Sequence, residues 1–339
     1  MFNLTKYAIV VLLLAIVPYF QDQTSVALSQ ENNKPKPEIV KFTFRWPLNI
    51  VADVEQTETY ERNIRDKFHR INIITRYEIT IEKDREGYLI KPSMPLSVRV
   101  AEYPPDTTLS SLILSTGTAI PSFFVDDRGA FIGIADIRSY WAMIDSIIAH
   151  RVKDSTQVAR LRVLYDSLYP PSSLRDIAAE TWNRMVGYWC QDVVPVGTKI
   201  DEMVDISSRY AAGKKLSTNF RYSIAKLPQC TTAFDTGMCV DINCQIIRDP
   251  VSYRVWFNRF YRRVGELTND PDFASITFLN FDSRDDLHLN IDPSTMLASK
   301  VYARESTRGD VIIENRKFDF SSRLETTMKI IYHRTYLSR

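Results

Sequence analysis

The segment INIITRYEITIEK, residues 71–83, decides the fold. Ile71, Ile73, Thr75, Tyr77, Ile79 and Ile81 take alternate positions in it. A strand turns successive side chains to opposite faces, so a period of two puts these six on one half-buried face. Upstream, Val54, Gln56, Glu58 and Tyr60 alternate with Asp53, Glu55 and Thr57, which predicts a strand with a polar face over Val51 to Tyr60. Downstream, Glu86-Gly87 turns the chain into Tyr88-Leu89-Ile90, and Ser97 to Val100 adds another strand. Pro121 to Val125 and Ala130 to Ile134 flank Asp126-Asp127-Arg128-Gly129, a hairpin turn in which the glycine can take positive φ. Residues 42–134 therefore read as a long antiparallel meander.

At Asp136 the period changes. Ile137, Tyr140, Trp141, Ile144, Ile147 and Ile148 recur at helical spacing behind Asp136 as N-cap. A second helix is expected from Ser155 to Tyr169, ended by Pro170-Pro171. Ser173 then caps a third, with Asp176 in the capping-box position and Trp182, Met185 and Trp189 near one face. Residues 136–190 form a helical insert between two strand-rich halves.

Strand character returns over Asn219 to Ala225 and Met238 to Ile247. Asp249-Pro250 opens a further helix, about residues 250–267, with proline in its first turn. Tyr253, Trp256, Phe257, Phe260, Tyr261, Val264 and Leu267 give it an aromatic stripe that reads as core. Arg254, Arg259, Arg262 and Arg263 lie off that stripe and are candidates for contact with an anionic group or a protein partner. Strands follow at Ser275 to Phe281, Leu287 to Ile291, Leu297 to Arg304, Asp310 to Glu314 and Leu324 to His333, with DSRDD (282–286) as a charged turn. The D-x-R turns of 124–134 and 280–291 give a faint internal echo, too short to be a repeat.

The first 27 residues set the compartment. Lys6 is followed by the uncharged run YAIVVLLLAIVPYF, Tyr7 to Phe20, which is shorter than the roughly 20 residues of a spanning helix. Ser25-Val26-Ala27 satisfies the small-x-small cleavage rule. Residues 1–27 are expected to be a signal peptide cut after Ala27, with Ser29 the alternative. Residues 28–40 form a polar lead-in, and 41–339 a single β-rich domain. No transmembrane span is expected after cleavage, and the protein is expected in the periplasm or secreted.

The cysteines follow from that compartment. Cys190, Cys230, Cys239 and Cys244 are even in number and all lie beyond the leader, so two disulfides are expected. Three pairings exist. Cys230–Cys239, closing the turn-rich TTAFDTGM segment, with Cys190–Cys244, tying a helix end to a strand, is favoured; Cys239 and Cys244 are five apart on one strand, face opposite ways and cannot pair without a bend.

Reactive chemistry finds little support. The chain holds four histidines, His69, His150, His288 and His333, in no ligand spacing, and it has no GxSxG, GxGxxG or P-loop pattern. No catalytic residue, metal or cofactor is expected. Asp282, Asp285, Asp286 and Asp292 are the best metal candidate, but Arg284 sits among them and a solvated turn fits better. Lys plus Arg is 43 against 41 Asp plus Glu, a balance that gives no drive toward nucleic acid.

Strands, a helical insert and more strands behind an export signal predict an α+β fold, with a large curved antiparallel sheet or half-barrel covered by helices. The order resembles the periplasmic lipoprotein-carrier half-barrels. Around PSFFVDDRGAFIGI it is similar to uncharacterised secreted β-rich bacterial proteins. The carrier resemblance implies a sheltered lipid or other apolar ligand. The abundance of aromatic and aliphatic residues without a catalytic constellation gives the same expectation: a non-catalytic exported protein binding an apolar ligand or envelope component. The alternative is an interaction protein that docks an envelope partner through its sheet or the arginine-bearing helix.

Overall fold

The computed structural model describes residues 38–334 except 49, 85–86, 94–95, 104–120, 152–154, 169–170, 191–192, 208–214 and 228–238. The expected signal peptide and most of the lead-in lie outside the described residues. The described body begins with β1 (Ile39–Lys41) and an extended segment from Phe42 to Pro47. Then come β2 (Ile50–Ile64), β3 (Lys67–Asp84), β4 (Gly87–Pro92), β5 (Ser97–Tyr103), β6 (Ser122–Asp126) and β7 (Phe131–Asp136). The helical insert comprises α1 (Ile137–Arg151), α2 (Ser155–Leu168) and α3 (Pro171–Trp182), and α3 passes into a π-helical turn, Asn183–Gly187. After it run β8 (Val193–Pro195), β9 (Lys199–Ser207), β10 (Lys215–Leu227) and β11 (Cys239–Arg248). Helix α4 (Pro250–Thr268) and the single turn α5 (Pro271–Ala274) precede β12 (Thr277–Phe278), β13 (Asp282–Asp292), β14 (Leu297–Ile313) and β15 (Arg316–Arg334).

Thirteen of these strands form one sheet, with every described pairing antiparallel. Its order is β7-β6-β4-β3-β2-β15-β14-β13-β11-β10-β9, with β5 also on β3 and β12 on β14. The sheet is not closed into a barrel: the strands at the two ends of its order are β7, which leads into the helical insert, and β9, which follows the insert and β8. Its middle is the pairing of β2 with β15, in register from Ile50↔Arg334 to Ile64↔Phe320. Two long hairpins lie side by side there. Their tips are Arg65-Asp66 and Glu314-Asn315, and all four residues have positive φ, between 50° and 64°. Such two-residue mirror-image turns match the right-handed twist of the flanking strands. β1 and β8 form a separate two-stranded pair.

One face of the sheet is covered. In β2, Ile50, Ala52, Val54, Gln56, Glu58, Tyr60, Arg62 and Ile64 all point to it and all are buried. The face carries two apolar clusters. One joins Val54, Ile242, Leu289 and Met328 to Phe42, Phe44 and Trp46 and to Trp182, Val186 and Trp189 of the insert. The other joins Ile64, Val311 and Phe320 to Tyr253, Phe257, Tyr261 and Val264 of α4. Helix α4 begins as the sequence implies, with the Asp249 carboxylate accepting from Ser252 N at 2.8 Å and Pro250 in the first turn. Gly265 lets α5 pack directly on α4, since a Cβ there would stand 2.1 Å from Ala274 N.

Between the clusters runs a buried polar band. Arg62 meets Asp270 at 3.2 Å and lies over the Phe273 ring. Arg248 meets Asp285 at 2.8 Å, Ser283 at 3.0 Å and Glu305 at 3.7 Å.

Several sequence expectations need correction. DSRDD is not a turn but the start of β13. Alternation sends Asp285 to the covered face, where it meets Arg248, and Asp286 to the opposite face, where it meets Arg304 at 2.6 Å. Cross-strand arginines thus hold acidic residues in a strand that composition alone assigns to a loop. The internal echo fails with it. Only Thr277–Phe278 of the expected strand from Ser275 to Phe281 is strand, and the two expected strands from Leu297 to Glu314 are one. Ser173 is not an N-cap: α3 already begins at Pro171, whose fixed φ suits a first helical position.

No disulfide at bonding distance joins two described cysteines. The favoured Cys190–Cys244 bridge is therefore not formed, although both residues belong to the same apolar cluster. The Cys190 Sγ sits instead against Gly129, 2.7 Å from where a Cβ would be, while Cys244 is held on β11. Cys230, and with it the Cys230–Cys239 pairing, lies outside the described residues.

Candidate apolar binding site

The site lies where the end of the helical insert meets the middle of the sheet. Trp182 ends α3 and is buried at 1% exposure. Its ring packs against Trp46 at 5.4 Å, Phe123 at 5.3 Å and Phe44 at 5.8 Å between centroids, all at steep interplanar angles. Edge-to-face geometry of this kind is the favoured one for aromatic quadrupoles. Trp182 Nε1 donates to the carbonyl of Gly129 at 2.7 Å. Gly129 has φ 86°, and a Cβ on it would also strike Phe44, so the glycine of the β6–β7 turn both shapes that turn and admits the indole.

The chain then widens into the π-turn, with Tyr188 N donating to Asn183 O at 2.9 Å. A π-helical turn is rare and is found disproportionately at functional sites. Here it aims Met185 and Val186 at the sheet. Between them and Ala52, Val54, Ile79 and Met328 is an apolar cavity of about 30 Å³.

The polar atoms of the cavity wall are turned away from it. Trp46 Nε1 donates to Met296 O at 3.1 Å, and the Tyr332 hydroxyl donates to Ala298 O at 2.7 Å. Indole and phenol hydrogens are thereby satisfied by backbone carbonyls, which leaves ring faces and aliphatic groups to line the space. Tyr77 is the exception in direction. Its hydroxyl donates to Gln56 Oε1 at 2.9 Å, and Gln56 Nε2 donates to Glu58 Oε1 at 3.0 Å. Tyr77, which lines the cavity, thus leads into a short polar relay on β2 and β3 behind the wall. Burial pushes the Glu58 carboxyl up to about 8, against a smaller lowering from the Gln56 amide, so Glu58 is protonated and neutral at pH 7. Burial likewise raises the Tyr77 hydroxyl, with the nearby Glu58 adding to the effect.

A 30 Å³ space is far below the roughly 300–1,000 Å³ of a site for a drug-sized ligand. Apolar cavities of small size stay dry. The arrangement can take an apolar chain only if the π-turn and the end of α3 withdraw from the sheet. It offers no nucleophile, no pair of ionised carboxylates and no metal-ligand set. Among the described residues, no group of three or more His, Cys, Asp or Glu could hold a metal ion.

The residues singled out from sequence lie elsewhere. Arg254 donates to Leu279 O at 3.3 Å, and Arg262 donates to Ile276 O at 2.8 Å and to the Thr277 hydroxyl. Arg259 stacks over Trp256 at 5.0 Å, and Arg263 pairs with Glu266 at 3.3 Å. All four are exposed on α4, and two of them bind that helix to the segment before β13. The acidic candidates are dispersed: Asp282 is exposed, Asp285 and Asp286 face opposite ways, and Asp292 caps the 293–296 turn through Ser294 and Thr295. His69, His288 and His333 stand on three different strands.

Sequence reasoning missed the relay of Gln56, Glu58 and Tyr77 as a site. Its signal was present, since the three lie on alternate positions of two adjacent predicted strands. No described helix is long and apolar enough to cross a membrane, which says nothing of strands. No protein-family model matches the sequence, and no curated protein matches it significantly.

Proposed function

We propose that the chain is an exported, non-catalytic protein that binds an apolar ligand, an acyl chain or similar, between the covered face of its sheet and the π-turn of its helical insert. The observation that carries this reading is the wall around Trp182. Aromatic and aliphatic groups meet there while their own polar atoms bond outward to backbone, and one polar relay marks the end at which a head group would stop. An apolar site with a few convergent polar groups and a shifted titratable residue is the usual form of a small-molecule site. The open sheet, in this reading a curved half-barrel, supplies the fixed wall and the insert supplies the movable one. Placement in the periplasm or outside the cell belongs to the same proposal and rests on the N-terminal 27 residues.

The competing reading, docking of an envelope partner through the arginines of α4, draws less support. Arg254 and Arg262 use donors on backbone carbonyls of the neighbouring segment. The test is the mass of the exported protein purified without detergent. The expected result is a discrete added mass that organic extraction releases as an apolar compound, or its appearance after incubation with fatty acid. A single unliganded mass that no added lipid changes would overturn the proposal.

A further inference from the structure

The face of the sheet opposite the helices holds a second concentration of chemistry. Alternation on β13, β14 and β15 sends Arg284, Arg304, Ser306, Arg308 and Arg323 to this open face. In the register, Ser306 stands opposite Arg284 on one side and opposite Arg323 on the other. Arg304 and Arg308 lie two residues before and after it on its own strand, so four guanidinium groups surround one serine. They line a trough of about 390 Å³ that continues past Ser321 and Asn63 to Phe68, a phenylalanine left 45% exposed.

Carboxylates fix part of this cluster. Asp286 accepts from Arg304 through Nε at 3.0 Å and Nη2 at 2.6 Å and lies 3.8 Å from Arg284. Glu325 pairs with Arg323, and Glu61 lies 3.9 Å from the same group. Asp282 is the register partner of Arg308, yet Arg308 makes no ion pair among the described residues. Arg304 and Arg323 are thus held in place by their acids, while Arg308 and most of Arg284 keep donors for something else. Guanidinium forks match the planar oxygens of phosphate and sulfate groups. Exposed phenylalanine beside hydroxyl and amide groups suits a sugar ring.

We infer that this trough binds a saccharide-sized ligand bearing a phosphate or sulfate ester. The oxyanion lies over Ser306 between Arg284, Arg308 and Arg323, and the body of the ligand lies toward Phe68. The site is independent of the apolar cavity, which is on the other face of the sheet. Titration calorimetry of the exported protein with glucose 6-phosphate, glucose 6-sulfate and uncharged glucose tests it. Binding of at least one ester, none of glucose and loss that steepens with added salt are expected. Arg308→Gln weakens the ester by about tenfold or more, as loss of a charged hydrogen-bond donor should. Ser306→Asp, which places a carboxylate where the anion sits, abolishes it. Arg308 is exposed and makes no ion pair among the described residues, so its variant keeps the wild-type unfolding midpoint and serves as the control for folding. Sedimentation with phosphatidylglycerol vesicles distinguishes the source: uptake that Ser306→Asp removes assigns the anion to a lipid phosphate, and ester binding without vesicle uptake assigns it to a soluble ester. Binding of neither, or binding indifferent to both substitutions, overturns the inference.

Discussion

At the scale of single residues, the polar band across the covered face is where pH and charge act on stability. Glu58 holds its proton in the folded chain up to about pH 8, whereas in the unfolded chain it releases it near its ordinary value of 4.5. Between those pH values the unfolded state binds fewer protons than the folded one, so stability falls as pH rises. The slope is about 1.4 kcal/mol per pH unit, and the loss by pH 7 is on the order of 2–4 kcal/mol. Glu58→Gln should remove this dependence. In urea unfolding at pH 5 and pH 7.5 the variant should gain stability relative to wild type at the higher pH, and equal shifts at both would contradict a neutral buried Glu58.

The Arg248–Asp285 pair behaves differently, because both members are charged and buried. Arg248→Ala strands the Asp285 carboxylate and should cost about 3–5 kcal/mol, while Arg248→Met with Asp285→Leu should recover most of the loss. A double variant no better than the single would show that packing, not charge, holds Arg248. The sequence made the alternation of Val54, Gln56, Glu58 and Tyr60 plain, but it read as a half-solvated strand. Its burial depends on the opposing elements, and local pattern carries no record of them.

At the scale of elements, those with their own local signals were legible. Asp136 accepts from Arg138 N at 2.9 Å and opens α1, and Asp249-Pro250 opens α4. Asp249→Ala should cost about 1 kcal/mol, seen as a lower urea midpoint with an unchanged slope. A loss below a few tenths would mean that packing of the aromatic stripe alone fixes the helix start. The Arg65-Asp66 and Glu314-Asn315 turns were not legible, because both use left-handed backbone without glycine. The strand over 282–286 was misread for a related reason. What stabilises Asp285 and Asp286 there is Arg248 and Arg304, each well away in sequence. The π-turn had no periodic signature at all, since five residues cannot establish a period.

At the scale of the whole molecule, the decisive contact joins the ends of the described chain. β2 and β15 pair at the centre of the sheet although more than 250 residues separate them, as Ile50↔Arg334 shows. This pairing makes two meanders into one surface and leaves β7 and β9 as edges, with the helical insert and β8 between them along the chain. Alternation could reveal each meander but not how the two join, because register between distant strands is set by tertiary packing. The same arrangement brings Trp46, Trp182 and Met328, drawn from three separate regions of sequence, to one cavity. Composition hinted at such a site through the abundance of aromatic residues, but only the assembled sheet gives it a location.

That location can be tested by contact. Bromine quenches indole fluorescence when it touches the ring, and two of the five tryptophans, Trp46 and Trp182, line the cavity. The measurement is emission of the protein titrated with 9,10-dibromostearate against plain stearate, in wild type and in a Trp46→Phe, Trp182→Phe variant. Binding at this site gives quenching with the brominated acid only, and the variant loses that response. No bromine-specific quenching, or quenching that survives unchanged in the variant, would contradict an apolar ligand seated between the π-turn and the sheet.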